Sequence, residues 1–286
     1  HGSGPQIRQR GILEQLLVRA GFSVLTYDKR GVGASGGNWQ TATFEDLADD
    51  AVAGAHMLQT RRDVDPKQIG FWGLSQGGWI APLAAARFGN PAFVVAASGG
   101  GLSPERTELL DTEDELLVAG FSATEVTEAL TFQTTKNTFM RTEEGWDAYQ
   151  AMRQRVQSLK WYGYGNTDAH GPPSKTNPYW ANQRRFYFYD PATALEKLTC
   201  PVLFVFGALG GNPRGMQETV AALRSSFEKT GNRDFTVQVV ANAGHNLFVG
   251  ETDPLRALTE QRLRYAPGYP QALVTWMKAH TKPEDK

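Results

Sequence analysis

A single cysteine in 286 residues rules out an internal disulfide. Cys200 precedes Pro201 at the head of an apolar run and reads as a small buried side chain. A lone thiol does not fix the redox compartment. The chain also lacks any apolar run near the ~18 residues that suggest a membrane span. It lacks charge excess as well: 29 Lys and Arg stand against 30 Asp and Glu, for a net charge of −1. That balance excludes nucleic acid as the main partner, because phosphate binding needs a basic surplus. No H-x-x-x-H pair occurs, and one cysteine builds no zinc site, so neither metal nor cofactor is expected. Repeats and low-complexity tracts are missing too. The chain opens abruptly at "HGSGPQ", and a targeting segment and early strands are expected ahead of it. The compartment is therefore left open between cytoplasmic and, with a leader removed, periplasmic or secreted. The oligomeric state is open as well.

What is present is a large apolar fraction, 41 %, enough for a sizeable core. From 22 to 99, strand and helix patterns alternate. "FSVLTYD" (22–28), "QIGFWGL" (68–74) and "AFVVAAS" (92–98) read as strands. Thr43 with Asp46 opens a helix over 43–60, and "QGGWIAPLAAARFG" (76–89) is a helix closed by Gly89. Such alternation predicts a mostly parallel sheet covered by helices on both faces. Between about 103 and 190 the strands stop. Ser103-Pro104 and the Ser122/Glu125 pair each start a helix, and Thr142 is expected to begin a third through about Lys160. Alternation resumes with a strand at 201–207, a helix near 215–229, a strand at 235–240 and a helix near 269–280. The domain reading is a core in two parts, 1–102 and 191–286, with a helical cap inserted at 103–190.

Gly73-Leu74-Ser75-Gln76-Gly77 lies between a predicted strand and a predicted helix, the context a nucleophile elbow needs. There the serine is held in a strained turn at a helix N-terminus, where the dipole favours an anion. A tight turn built only for packing is the plainer alternative. His1-Gly2-Ser3-Gly4-Pro5 is a histidine-glycine loop whose free N–H groups suit an oxyanion, unless it is simply a loose end. The expected oxyanion donors are the N–H of Ser3 and the N–H of Gln76. Asp28 to Ser35 is a glycine-rich loop without phosphate-binding spacing, so its charges are expected to stitch the loop near the site. His245, in "ANAGHNLF" after the strand 235–240, is placed to deliver a base to the same sheet edge. His1, His56, His170 and His280 fall at positions less suited to that task.

In combination, "HGSGP", "GFSVLTYDKRGVGASGG", "DPKQIGFWGLSQGGWIAP", "CPVLFVFGA" and "AGHNLF" resemble the α/β-hydrolases. Among them the nearest are bacterial serine hydrolases of the serine aminopeptidase and dienelactone-hydrolase-like families. The resemblance implies an α/β-hydrolase fold, an eight-stranded, mostly parallel sheet with a variable helical cap. It also implies a triad acid a few residues past the strand "VLFVF", where this chain has Gly210. The carboxylate of such an acid holds the histidine tautomer, and losing it costs on the order of 10⁴ in turnover. Three readings stay open. Glu251, Asp253 or Glu105 supplies the acid. A Ser–His dyad works slowly, with Asn212 orienting the ring. Or the fold survives without activity and binds a small ligand or partner.

The leading expectation is carboxylesterase-like hydrolysis of an ester, thioester or amide, with Ser75 as nucleophile and His245 as base. Aminopeptidase-type cleavage is an alternative. The partner expected is a small ester or acyl substrate. Aromatic residues crowd the insertion, among them Trp146, Trp161, Tyr179, Trp180 and Tyr187. They either face an apolar acyl group or pack the insertion, and packing is the favoured reading.

Overall fold

The structure is a computed structural model that describes residues 11–89, 91–164, 172, 174–209, 213–250 and 264–281. The chain divides into two compact units, one of His1–Gly101, Pro191–Gly210 and Val220–Lys286, the other of Leu102–Asp190 and Gly211–Thr219.

Among the described residues the first unit is organised by four strands, β1 (Phe71–Leu74), β2 (Val94–Ala97), β3 (Val202–Gly207) and β4 (Phe235–Val240). They lie side by side in chain order and pair in parallel throughout. Every C-terminal strand end therefore points to one edge. All four residues of β2 are fully buried, which suits β-branched and small side chains covered on both faces. One face of the sheet packs Val95, Ala97, Leu203 and Val205 against Leu13 and Leu17 of helix α1 (Ile12–Arg19) and against Leu273 and Met277 near the C-terminus. On Phe204 of β3 lies Phe227, with ring centroids 6.3 Å apart. Each such fully buried side chain contributes roughly 1.5–3 kcal/mol.

Helix α2 (Phe44–Gln59) begins with the expected reciprocal cap, Thr43 and Asp46 each bonding the other's backbone. Helix α3 (Gln76–Phe88) ends at Gly89, whose φ of 91° is the left-handed stop that glycine accommodates without strain. One expected strand is missing. Residues 22–28 pair in no ladder among the described residues. A β-branched, aromatic run favours extended backbone, but only a hydrogen-bonded neighbour makes it a strand.

The second unit is helical: α4 (Pro104–Val118), α5 (Ala123–Thr142), α6 (Trp146–Val156) and α7 (Pro178–Arg184). Ser103 caps α4 by accepting from the Arg106 N–H, and Ser122 with Glu125 forms the reciprocal cap of α5. Thr142 ends α5 rather than starting the next helix. Its hydroxyl donates to the Thr138 carbonyl, and Glu143 turns the chain at φ 63°. Threonine back-bonds readily to the carbonyl four residues earlier, so its presence signals a helix interior as well as a cap. Phe132, Phe139, Met140, Tyr149, Val156, Trp161, Trp180 and Tyr187 form the core of this unit. Most of the crowded aromatics thus pack the unit itself. After a four-residue turn, α8 (Ala192–Leu195), come α9 (Pro213–Thr230) and α10 (Tyr269–Ala279) among the described residues. No described helix is long and apolar enough to cross a membrane.

Candidate active site

Strand β1 stops at Leu74 and helix α3 starts at Gln76, so Ser75 alone makes the turn. Its φ of 57° and ψ of −120° lie where side chains other than glycine are strained. Two backbone bonds hold it there. The Ser75 N–H donates to the Ala97 carbonyl of β2 at 2.9 Å, and the Ser75 carbonyl accepts from the Gly78 N–H at 2.7 Å. Close backbone approach requires glycine at position 73, where a Cβ would stand 2.1 Å from the Gly77 carbonyl oxygen. The elbow's tightness therefore resides at Gly73, whereas a Cβ at Gly77 would meet nothing within 4 Å.

Gln76 is the first residue of α3, a position where the backbone N–H has no intrahelical acceptor. Its side-chain oxygen accepts from the Lys29 ammonium at 2.8 Å. Lys29 also lies over the Trp39 ring, 5.4 Å from the centroid, and burial lowers its pKa. The loop around Lys29 is firmly built. Arg30 makes two bonds of 2.8 Å to the Asp50 carboxylate, and the Ser35 hydroxyl donates to the Asp28 carbonyl at 2.7 Å. The expected stitching role thus has a specific target, the residue after Ser75.

His245 stands exposed in the turn that follows β4. That turn is closed by the Gly244 N–H to the Phe248 carbonyl and by the Leu247 N–H to the Gly244 carbonyl, both 3.0 Å. At the end of β3, the Leu209 N–H donates to the Ala243 carbonyl at 2.8 Å. A Cβ on Gly207 would lie 2.2 Å from the Gly244 carbonyl oxygen, so the His245 turn rests on a bare strand end. The Ser98 hydroxyl donates to the carbonyl of His245 at 2.6 Å. Ala97 and Ser98 are consecutive, and one binds the backbone of Ser75 while the other binds the backbone of His245. The two segments therefore meet at the C-terminal edge of the sheet.

Ser3, Gly210, Asn212, Glu251 and Asp253 lie outside the described residues, as do His1 and His170. Glu105 is in the first turn of α4, and its carboxylate pairs with Arg141. His56 bonds Gln59, and His280 bonds the Trp276 carbonyl. Cys200 is partly buried, and burial pushes its thiol up to about 11. Among the described residues, no group of three or more His, Cys, Asp or Glu gathers as metal ligands. Sequence reasoning gave no role to Ser98 and did not foresee the Lys29–Gln76 bond. Ser98 carried one faint signal, a hydroxyl residue at a strand end just before Gly99, Gly100 and Gly101.

A model of the alpha/beta hydrolase family matches residues 1–261. No curated protein sequence matches. Among solved structures, an esterase of Pyrococcus furiosus is similar at 14 % identity and a TM-score of 0.52, over 94 % of this chain and 74 % of that one. A structure from work on carboxylesterases of the thaumarchaeon Nitrososphaera gargenis is similar at 16 % identity and a TM-score of 0.45, over 92 % and 84 %. Acetyl xylan esterase 1 from Thermoanaerobacterium sp. is similar at 15 % identity and a TM-score of 0.44, over 94 % and 71 %. At 14 % identity the likeness to the Pyrococcus furiosus esterase is one of fold alone.

Proposed function

This chain belongs to the alpha/beta hydrolase family, and on that premise we propose that it is a serine hydrolase cleaving a carboxylic ester of a small acyl substrate. The observation that carries the reading is the backbone of Ser75. A non-glycine residue at φ 57° costs of order 1–3 kcal/mol, and such strain persists where a function needs it. It presents a hydroxyl at the N-terminus of a 13-residue helix.

In the proposed reaction, Ser75 Oγ attacks the ester carbonyl carbon and its proton passes to His245. The N–H groups of Gln76 and Ser3 hold the resulting oxyanion. Collapse expels the alcohol, which takes the proton from His245. Water, giving a proton to His245, then attacks the acyl-serine; the acyl–Oγ bond breaks, the acid is released and Ser75 Oγ takes the proton back from His245. Lys29 keeps the Gln76 side chain fixed beside this event. The reading assigns no acid to the His245 ring.

The test is turnover of p-nitrophenyl acyl esters by the wild type and by Ser75→Ala. A fall of about 10³-fold or more supports the reading. Equal background rates favour a ligand-binding protein of the same fold. A parallel panel of aminoacyl p-nitroanilides separates the aminopeptidase alternative. If Gly210 marks a seat without its acid, Gly210→Asp raises turnover by roughly tenfold or more, within a ceiling of about 10⁴-fold set by the triad-acid effect.

A further inference from the structure

Ser98 has an unusual backbone and an unusual bond. Its φ is 52°, a left-handed value that glycine adopts at little cost and serine does not. Glycines follow directly at 99, 100 and 101. A serine at 98 therefore needs a reason that only a side chain supplies. That reason is visible in the 2.6 Å bond from its hydroxyl to the His245 carbonyl, across 147 positions of sequence.

The main chain of Ser98 is itself fixed by the sheet, since its N–H donates to the Val205 carbonyl of β3 at 2.8 Å. The preceding carbonyl, that of Ala97, receives the Ser75 N–H. The Ala97–Ser98 pair is thus a bracket with the nucleophile's backbone on one side and the base's backbone on the other. The His245 turn is also tied to the end of β3, by the Leu209 N–H to the Ala243 carbonyl, and to the segment ahead of α10, by the Val249 N–H to the Arg264 carbonyl and the Ala266 N–H to the Leu247 carbonyl. The Ser98 tie runs to β2, the neighbour of the strand that carries Ser75.

We infer that Ser98 is a positioning residue that clamps the His245 turn to the sheet edge and so sets the approach of the base to Ser75. This deepens the hydrolase reading and rests on it for the roles of Ser75 and His245. A clamp of this kind matters because a displacement near 1 Å of a reacting group costs up to about 10²-fold in rate.

The experiment uses Ser98→Gly, with Ser98→Ala beside it. Glycine accepts φ 52° freely, so Ser98→Gly removes the hydroxyl while relieving the backbone, and its melting temperature should not fall. Two quantities are read. One is amide hydrogen exchange at Gly244, Leu247 and Val249, with Val202 to Val205 as the internal reference. The other is the split of kcat from KM on a p-nitrophenyl ester. The expected result is exchange faster by roughly tenfold in the turn and unchanged in β3, as for a local opening. It comes with a kcat lowered by roughly tenfold and KM within about twofold. Wild-type exchange rates at all three amides in Ser98→Gly overturn the clamp, as does wild-type kcat despite a loosened turn. If the turn loosens but the wild type shows no Ser75-dependent turnover, the clamp stands and the hydrolase reading is what fails.

Discussion

The sheet-bearing unit and the helical unit achieve order by different means. At the sheet edge the decisive contacts are backbone contacts under strain. Of the five non-glycine residues with positive φ among the described residues, Ser75, Ser98, Asn242 and Leu247 belong to this unit. They fall in the turn of Ser75, at the end of β2 and in the turn of His245. The helical unit has one such residue, Glu143, which merely ends a helix. Its order comes from side chains. Phe139, Trp146, Tyr149 and Trp180 interlock with ring centroids 4.9 to 6.3 Å apart, in tilted, edge-on and stacked pairs. It even buries Thr112, Gln133, Lys136 and Asn137. Strain is concentrated where atoms must be placed, and bulk where a fold must only be filled.

This contrast is best broken by substitutions that should act in one unit and not in the other. The largest effect on stability is expected at Trp180, which is 1 % exposed. Trp180→Ala should destabilise the protein by about 3–5 kcal/mol in urea unfolding. Turnover per folded molecule is the check, and it should lose less than at any sheet-edge substitution. Next comes Gly207→Ala. Its Cβ would meet the backbone oxygens of Gly244 and Ala243 at 2.2 and 2.5 Å, atoms that cannot swing aside. A cost of about 1–3 kcal/mol follows from such overpacking. Turnover should fall by about 10²-fold as the His245 turn is pushed away.

Lys29→Met keeps the aliphatic stem and removes the bond to Gln76. The expected loss in kcat/KM is roughly tenfold, the scale of one charge-assisted hydrogen bond, with little change in melting temperature. The smallest effect concerns the helical unit. Burial, and then the charges of Glu115, Glu108 and Asp114, raise the Asp111 carboxyl to about 7. A raised acid binds its proton more tightly when folded, so its penalty on stability is absent below pH ~4, grows from there to about 7 and is complete above. Asp111→Asn should therefore raise the melting temperature slightly at pH 8 and leave it unchanged at pH 4. Asp111 is nonetheless an exposed residue, and screening by solvent holds the gain small.

Legibility in the sequence follows the same division. Caps were readable because Thr43–Asp46 and Ser122–Glu125 are local reciprocal bonds between residues three apart. The strand–turn–helix around Ser75 was readable because periodicity changes there from two to 3.6 within a few residues. The fate of 22–28 was not, since a strand is defined by a partner that its own residues do not specify. Nor was Ser98 readable, because its partner lies 147 residues away and its value depends on φ. Thr142 was misassigned for a local reason: the same hydroxyl serves as a cap or as a back-bond to an earlier carbonyl.

The most direct test of the account is covalent labelling of the folded chain with a fluorophosphonate, followed by peptide mass analysis. The account predicts one label per molecule, on Ser75, absent from Ser75→Ala and strongly slowed in His245→Gln. A folded wild type that takes no label, or one labelled equally well after Ser75→Ala, would contradict it.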